Sequence, residues 1–374
     1  MRLTTSSSTL SARLLALSKV FNSKNTMPIL DCFLFEVSNK ELTVTASDSE
    51  NVMTAVIPLD EMDGEGTFAV NNRTIIDAVK ELPEQPLTME VDMNTYAIKV
   101  IYQNGIYNFT AQSGEEFPRL LPLEDNTASI LVDAKTLVND ISRSVFAIAN
   151  DELRPVMNGI YFDITPEALA IVASDGHKLV RILNRSINNS TPMAFILPKK
   201  PASLLKNVLQ KTDDDVIIRF NDRNANIIFG EGTLSCRLIE GTYPKYNSVI
   251  PKDNPNQLNI ERNLLLGVIR RVLPFASDSS QQIRLHIEPG KAVVSSEDID
   301  FYTSAKEEIA CDYNGMSMDI GFKGSSLVEI LSNLDCEVVT IKLADPSRPC
   351  LVVPAEQDDK EDVLMLIMPM LLND

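Results

Sequence analysis

The stretch ALAIVASDGHKLV, residues 168–180, decides the fold. An apolar run ends in Ser174 and Asp175, turns at Gly176 and resumes after His177 and Lys178, which is the pattern of two strands joined by a tight hairpin. A similar ending that closes on Asp occurs twice more, as ELTVTASD at residues 41–48 and KAVVSSED at residues 291–298. The closing aspartates, Asp48, Asp175 and Asp298, stand 127 and 123 residues apart. Each run follows another strand-like segment: FLFEV, GIYFDI and IRLHIE.

Working outward, helical spacing recurs at the same period. Upstream of the tags lie Leu10, Leu14, Leu17 and Phe21, then Leu137, Ile141 and Ile148, then Leu264, Val268, Val272 and Phe275. Downstream lie Ile75, Ile76, Val79 and Leu82, then Leu204, Leu205, Val208 and Leu209, then Leu327, Val328, Leu331 and Leu334. Phe117-Pro118, Tyr243-Pro244 and Met368-Pro369 close the units, their prolines 126 and 125 residues apart. The chain is therefore three tandem copies of one α+β domain, two helices packed on antiparallel sheets. Polar joints at residues 124–128 and 252–256 place the domains at 1–127, 128–253 and 254–374.

Composition narrows the function. Of 374 residues, 44% are hydrophobic, which excludes global disorder. No apolar run can span a bilayer and no export signal opens the chain, so a cytoplasmic protein without a membrane partner is expected. Five scattered cysteines and two histidines offer no metal-ligand spacing, and no cofactor motif occurs. The many acidic residues include no pair placed for two-metal phosphoryl transfer, so no catalytic residue is expected.

Lys and Arg number 34 against 52 Asp and Glu, a net charge of −18. Three helical segments nevertheless carry +3, +4 and +2: residues 8–24 with Arg13, Lys19 and Lys24; 199–211 with Lys199, Lys200, Lys206 and Lys211; and 261–275 with Arg262, Arg270 and Arg271 against Glu261. The other three are balanced, which leaves −27 for the rest of the chain. A basic helical layer in an acidic body suits a surface facing a polyanion, although lysines on solvated helix faces are common.

Three such domains, with VASDGHKL at 172–179, MPMLL at 368–372, TMPIL at 26–30, LRPVMNG at 153–159 and IEGTYPKY at 239–246, resemble the bacterial DNA polymerase III beta subunit family, the sliding clamps. The likeness runs from Met1 to the last residues. It implies a head-to-tail homodimer, a ring whose helices line a hole around duplex DNA without reading its sequence. It also implies a non-catalytic processivity subunit that docks the replicative polymerase, the clamp loader, and peptides from repair polymerases, ligase and mismatch-repair proteins.

By the same resemblance, Lys24, Arg73, Lys199, Lys200 and Lys206 face DNA, while Pro155 and Val156 replace aromatic contacts. A partner-peptide groove between the second and third domains is lined by Met157, Ser174, Gly176, His177, Lys178, Leu179, Pro244, Val249, Met368, Pro369, Met370, Leu371 and Leu372. Ser248, Ser280 and Leu371 depart from the family there, which implies a more apolar peptide preference. Tyr107 and Phe275 match the dimer interface, and Phe275 equally fits the core stripe of its own helix. Simpler roles stand beside these: Asp175-Gly176 as a hairpin turn, His177 as a turn residue and not a catalyst, and residues 368–372 as a last strand. The alternative function is a cytoplasmic peptide-docking scaffold that does not encircle DNA.

Overall fold

The computed structural model describes residues 1–25, 27–118, 123, 127–210, 213–230 and 232–372. Thr26, most of the 124–128 joint and Lys211 lie outside the described residues. Six α-helices are formed among these: α1 Ser7–Leu17, α2 Asn72–Val79, α3 Ala134–Ser144, α4 Lys199–Leu209, α5 Arg262–Val272 and α6 Gly324–Ser332. Ser6 caps α1 by accepting from the Thr9 N–H, and Asn71 caps α2 by accepting from the Thr74 N–H. Leu10, Leu14 and Leu17 are buried as the helical period requires, as are Ile75 and Val79. In α5 Val268 and Val272 are buried as expected, together with Leu265, Leu266 and Ile269, while Leu264 at the start of the expected stripe is 39% exposed.

Contacts divide the chain into two units, Met1–Val138 with Lys200–Leu238, and Asn139–Lys199 with Ile239–Asp374. Each unit is organised by a nine-stranded antiparallel sheet. In the first, five strands of the first repeat end in Asn51–Pro58, which pairs with Gly232–Arg237, the first of four strands from the second repeat. The register sets Asn51 opposite Cys236 and Ala55 opposite Gly232. In the second unit, four strands of the second repeat end in Lys178–Asn184, which pairs with Glu361–Ile367, the first of five from the third repeat. Here Lys178 stands opposite Ile367 and Asn184 opposite Glu361. The sheets thus run through the repeat boundaries.

Two shorter sheets remain. The first unit holds a five-stranded sheet whose edge is Gly105–Thr110, and the second a four-stranded sheet whose edge is Thr303–Ala310.

The three tag aspartates do the same work. Asp48 Oδ1 accepts from the Glu50 and Asn51 N–H groups at 3.0 and 2.7 Å. Asp175 Oδ1 accepts from those of His177 and Lys178 at 2.8 and 2.9 Å. Asp298 Oδ1 accepts from those of Asp300 and Phe301 at 2.9 and 3.2 Å. A short acid there satisfies two amides of a turn that has no strand partner for them.

Candidate functional site

The basic residues fall into two groups. Lys24 and Arg73 are exposed, Lys199 is exposed at the start of α4, and Lys206 is half-buried further along it. Lys200 is otherwise employed. Its Nζ donates to the Val20 carbonyl at 2.5 Å, to Asn22 Oδ1 at 2.7 Å and to the Asp48 carboxylate, so it ties the start of α4 to the turn after α1. The arginines of the 261–275 segment are also committed. Arg262 donates to the Cys336 and Leu331 carbonyls, closing the end of α6, and Arg271 forks onto Glu307 with its closest approach at 2.7 Å. Arg270 donates to Ser332 Oγ. A charge count along the chain cannot separate such cations from those that meet solvent.

The expected groove residues lie in the second unit. Ser174, Lys178 and Leu179 are buried, and Gly176 and His177 are exposed at the hairpin tip. Gly176 has φ +92°, a conformation suited to glycine. Lys178 Nζ bridges Asp175 Oδ2 at 2.7 Å and Glu329 Oε2 of α6 at 3.2 Å. Burial alone would raise the Asp175 pKa, but Lys178 and the two turn amides outweigh it and hold the carboxyl below its usual range. The His177 carbonyl accepts from the Met368 N–H at 2.8 Å, joining this turn to the chain end.

Beside the turn lies an aromatic shelf that the sequence did not suggest. Tyr161 stacks on Tyr243 with centroids 4.6 Å apart, and Tyr246 meets Tyr161 edge-on at 6.2 Å while donating to Asp163 Oδ2. Tyr243, Tyr246, Leu179 and Leu366 share one buried cluster, with Val156 and Ile250 packed against it. Pro244 and Val249 project from this shelf into solvent, Val249 at 53% exposure, and Met157 is buried. The one local signal for the shelf is Tyr243-Pro244, whose spacing marks it as the end of a repeat and says nothing of its ring partners.

Residues 368–372 do not extend the final strand, which ends at Ile367. Met370 instead bridges to Gly321, its N–H donating to the Gly321 carbonyl at 2.8 Å, and Gln282 Nε2 donates to the Leu371 carbonyl. A Cβ on Gly321 would meet the Met370 oxygen at 2.7 Å and Leu372 Cδ2 at 2.8 Å. Gly321→Val is therefore expected to lift the tail and speed amide exchange at Met370 about tenfold, the worth of one lost hydrogen bond. Unchanged exchange at Met370 would show that the tail does not depend on that approach.

Family models place this chain. That of the DNA polymerase III beta subunit N-terminal domain matches residues 1–122, that of the central domain residues 131–245, and that of the C-terminal domain residues 247–370. The chain belongs to the DNA polymerase III beta subunit family. It is 26% identical to the beta sliding clamp of Pseudomonas putida over 351 residues, 92% of this chain and 94% of that one. The sliding clamp of Pseudomonas aeruginosa, solved with griselimycin bound, superposes with a TM-score of 0.93 at 24% identity over the whole of both chains. The beta subunit of Thermotoga maritima does so with a TM-score of 0.90 at 25% identity, again over the whole of both. The three tandem clamp domains read from the repeats are the architecture of this family. Among the described residues no three His, Cys, Asp or Glu side chains gather to hold a metal, and no helix is long and apolar enough to cross a membrane.

Proposed function

We propose that the chain is a non-catalytic cytoplasmic sliding clamp whose copies join head to tail into a closed ring around duplex DNA. One observation carries this reading. Each nine-stranded sheet joins strands of one repeat to strands of the next, and the leftover sheets, four strands in the third repeat and five in the first, together have the same number of strands. Joining Thr303–Ala310 of one copy to Gly105–Thr110 of a second gives a third sheet of nine. Repeating this at both ends of two copies closes a ring and removes every such edge.

Burial supports the same pairing. Leu234, the counterpart of Tyr107 across the 127-residue repeat, is fully buried at its junction, and Val20 and Ala147, the counterparts of Phe275 in the short turns after the helices, are fully buried too. Tyr107 is half-exposed and Phe275 is 41% exposed. These two aromatic side chains keep exposed surface at positions whose counterparts in the other repeats are buried. Phe275 thus has a reason to leave the core stripe that its spacing also fits.

DNA would be held by its linkage through the ring and weakly by phosphate contacts from Lys24, Arg73, Lys199 and Lys206, with Lys200 serving the internal tie. Partner peptides of the polymerase, loader and repair proteins would lie on the shelf by Tyr243, Pro244 and Val249, against the 174–179 turn and the Met368–Leu372 tail. Flexible Met and Leu side chains there suit several related apolar sequences. Loaded onto nicked circular plasmid by a clamp loader and ATP, the protein is expected to stay bound through gel filtration and to be released when the plasmid is cut. Equal retention on circular and linear DNA would instead favour a scaffold that does not encircle its template.

A further inference from the structure

The tip of the third hairpin differs from the other two. In the first repeat, Ser47 pairs with Val52, and in the second, Ser174 pairs with Leu179. In the third, Glu297 pairs with Ser304, so the tip is two residues longer. The extra length presents Ile299, Phe301 and Tyr302 at 78, 77 and 95% exposure. Solvent-facing apolar side chains of this size in one loop call for a cover.

The first two tips show what such a turn does at a repeat junction. The Glu50 carbonyl accepts from the Arg237 N–H at 3.0 Å, and Glu50 and Arg237 pair their side chains at 3.6 Å. The His177 carbonyl accepts from the Met368 N–H. In both cases the residue two before that paired position hooks the end of the neighbouring strand. The third-repeat equivalent is Tyr302. Carrying the first junction's register over by the 127-residue repeat, with Gly105 for Gly232, sets Ser304 opposite Asn108 and Tyr302 opposite Thr110 of the adjoining strand.

We infer that the 298–303 tip is an apolar clip that closes over a second copy of this chain, Phe301 and Tyr302 covering the corner made by that copy's Thr110 and Tyr96. Within the chain, Thr110 pairs with Ala97, and the Ala111 N–H donates to the Tyr96 carbonyl, so this corner is a formed surface. The inference rests on the head-to-tail reading and adds a contact absent from both internal junctions, which use a Ser-Glu tip and a Gly-His tip. It makes the closure between copies more apolar than the joints within each chain. Aromatic anchors at the centre of such contacts carry much of the binding energy.

The chain contains no tryptophan, so Tyr302→Trp supplies a single reporter. Its emission is expected to shift to the blue, and its acrylamide quenching to fall, as protein concentration rises through the dimer dissociation constant. In parallel, Phe301→Ser with Tyr302→Ser is expected to raise the dissociation constant measured by sedimentation at least about tenfold, with thermal unfolding of the monomer unchanged. A dimer in which the introduced indole stays solvent-exposed, or in which the double variant associates as tightly as the parent, would overturn the clip and leave the ring intact. A parent that stays monomeric at high micromolar concentration would overturn both.

Discussion

Substituting aspartate for both Tyr107 and Phe275 is expected to leave the protein monomeric at micromolar concentration and unable to remain on circular DNA. Both side chains keep exposed surface in the single chain. Tyr107 lies on an edge strand, its ring tilted against that of Tyr102 with centroids 5.0 Å apart, and Phe275 ends a short turn after α5 with 41% of its surface exposed. Their counterparts in the other repeats, Leu234, Val20 and Ala147, are fully buried. Each substitution would remove an aromatic anchor and put a carboxylate in an apolar contact, a loss of about 2 kcal/mol or more apiece. Together they are expected to weaken association about 1000-fold. Sedimentation equilibrium reads this directly, and circular dichroism checks that the domains remain folded. A double variant that dimerises as tightly as the parent would mean that these residues are not at the closure.

The second large effect concerns stability. Asp140 lies in α3 between Leu137 and Ile141, fully buried, and neither of its carboxylate oxygens has a hydrogen-bond partner. Burial pushes its pKa up to about 8; the Glu361 charge adds to the rise and Arg143, paired with Glu361 at 2.8 Å, opposes it. In the folded chain the acid therefore stays neutral at pH values where the unfolded chain has ionised. Below the unfolded pKa, near 3.8, both states are protonated and the ionisation of Asp140 makes no difference to stability. As pH rises from there to about 8 the unfolded state alone gains from ionisation and stability falls; above that range the loss is constant.

Asparagine keeps the shape and cannot ionise. Asp140→Asn is expected to leave stability at pH 4 nearly unchanged and to raise it at pH 8 by an amount on the order of 5 kcal/mol, from about 1.4 kcal/mol per pH unit of displaced ionisation. The readout is the urea midpoint of the transition that includes the second unit. Midpoints that coincide at pH 8 would show that the buried carboxyl is ionised or solvated in the folded state.

The repeats were legible because hydrophobic spacing and turn chemistry are local. Leu10, Leu14 and Leu17 lie within two helical turns, and the tag aspartates bond to amides two and three residues away. Local signals placed Val268 and Val272 correctly in the α5 stripe but chose Leu264 over its buried neighbours, since Leu264, Leu265 and Leu266 in a row offer more than one start. What escaped was non-local. Lys200 reaches Asp48 across 152 residues of chain and Arg262 reaches Cys336 across 74, so a charge count along helices could not tell such internal ties from cations left exposed. The Tyr161 and Tyr243 rings meet only because antiparallel pairing brings their strands to one shelf. The unequal leftover sheets, on which the proposed closure rests, depend on where each edge ends, and no window of sequence contains that information.

Cross-linking in a chosen register tests the closure most directly. Ser304 and Asn108 are both exposed, and residues directly opposite in an antiparallel pair lie about 4.5–5.5 Å apart at Cα, within disulfide range. A chain carrying Ser304→Cys and Asn108→Cys is expected to oxidise to a covalent dimer with both junctions closed, which stays on circular DNA under denaturing conditions once loaded. Ser304→Cys with Ile106→Cys, two residues out of register, is expected to cross-link poorly. A dimer that cross-links only in the shifted register, or not at all, would contradict a third nine-stranded sheet shared between copies.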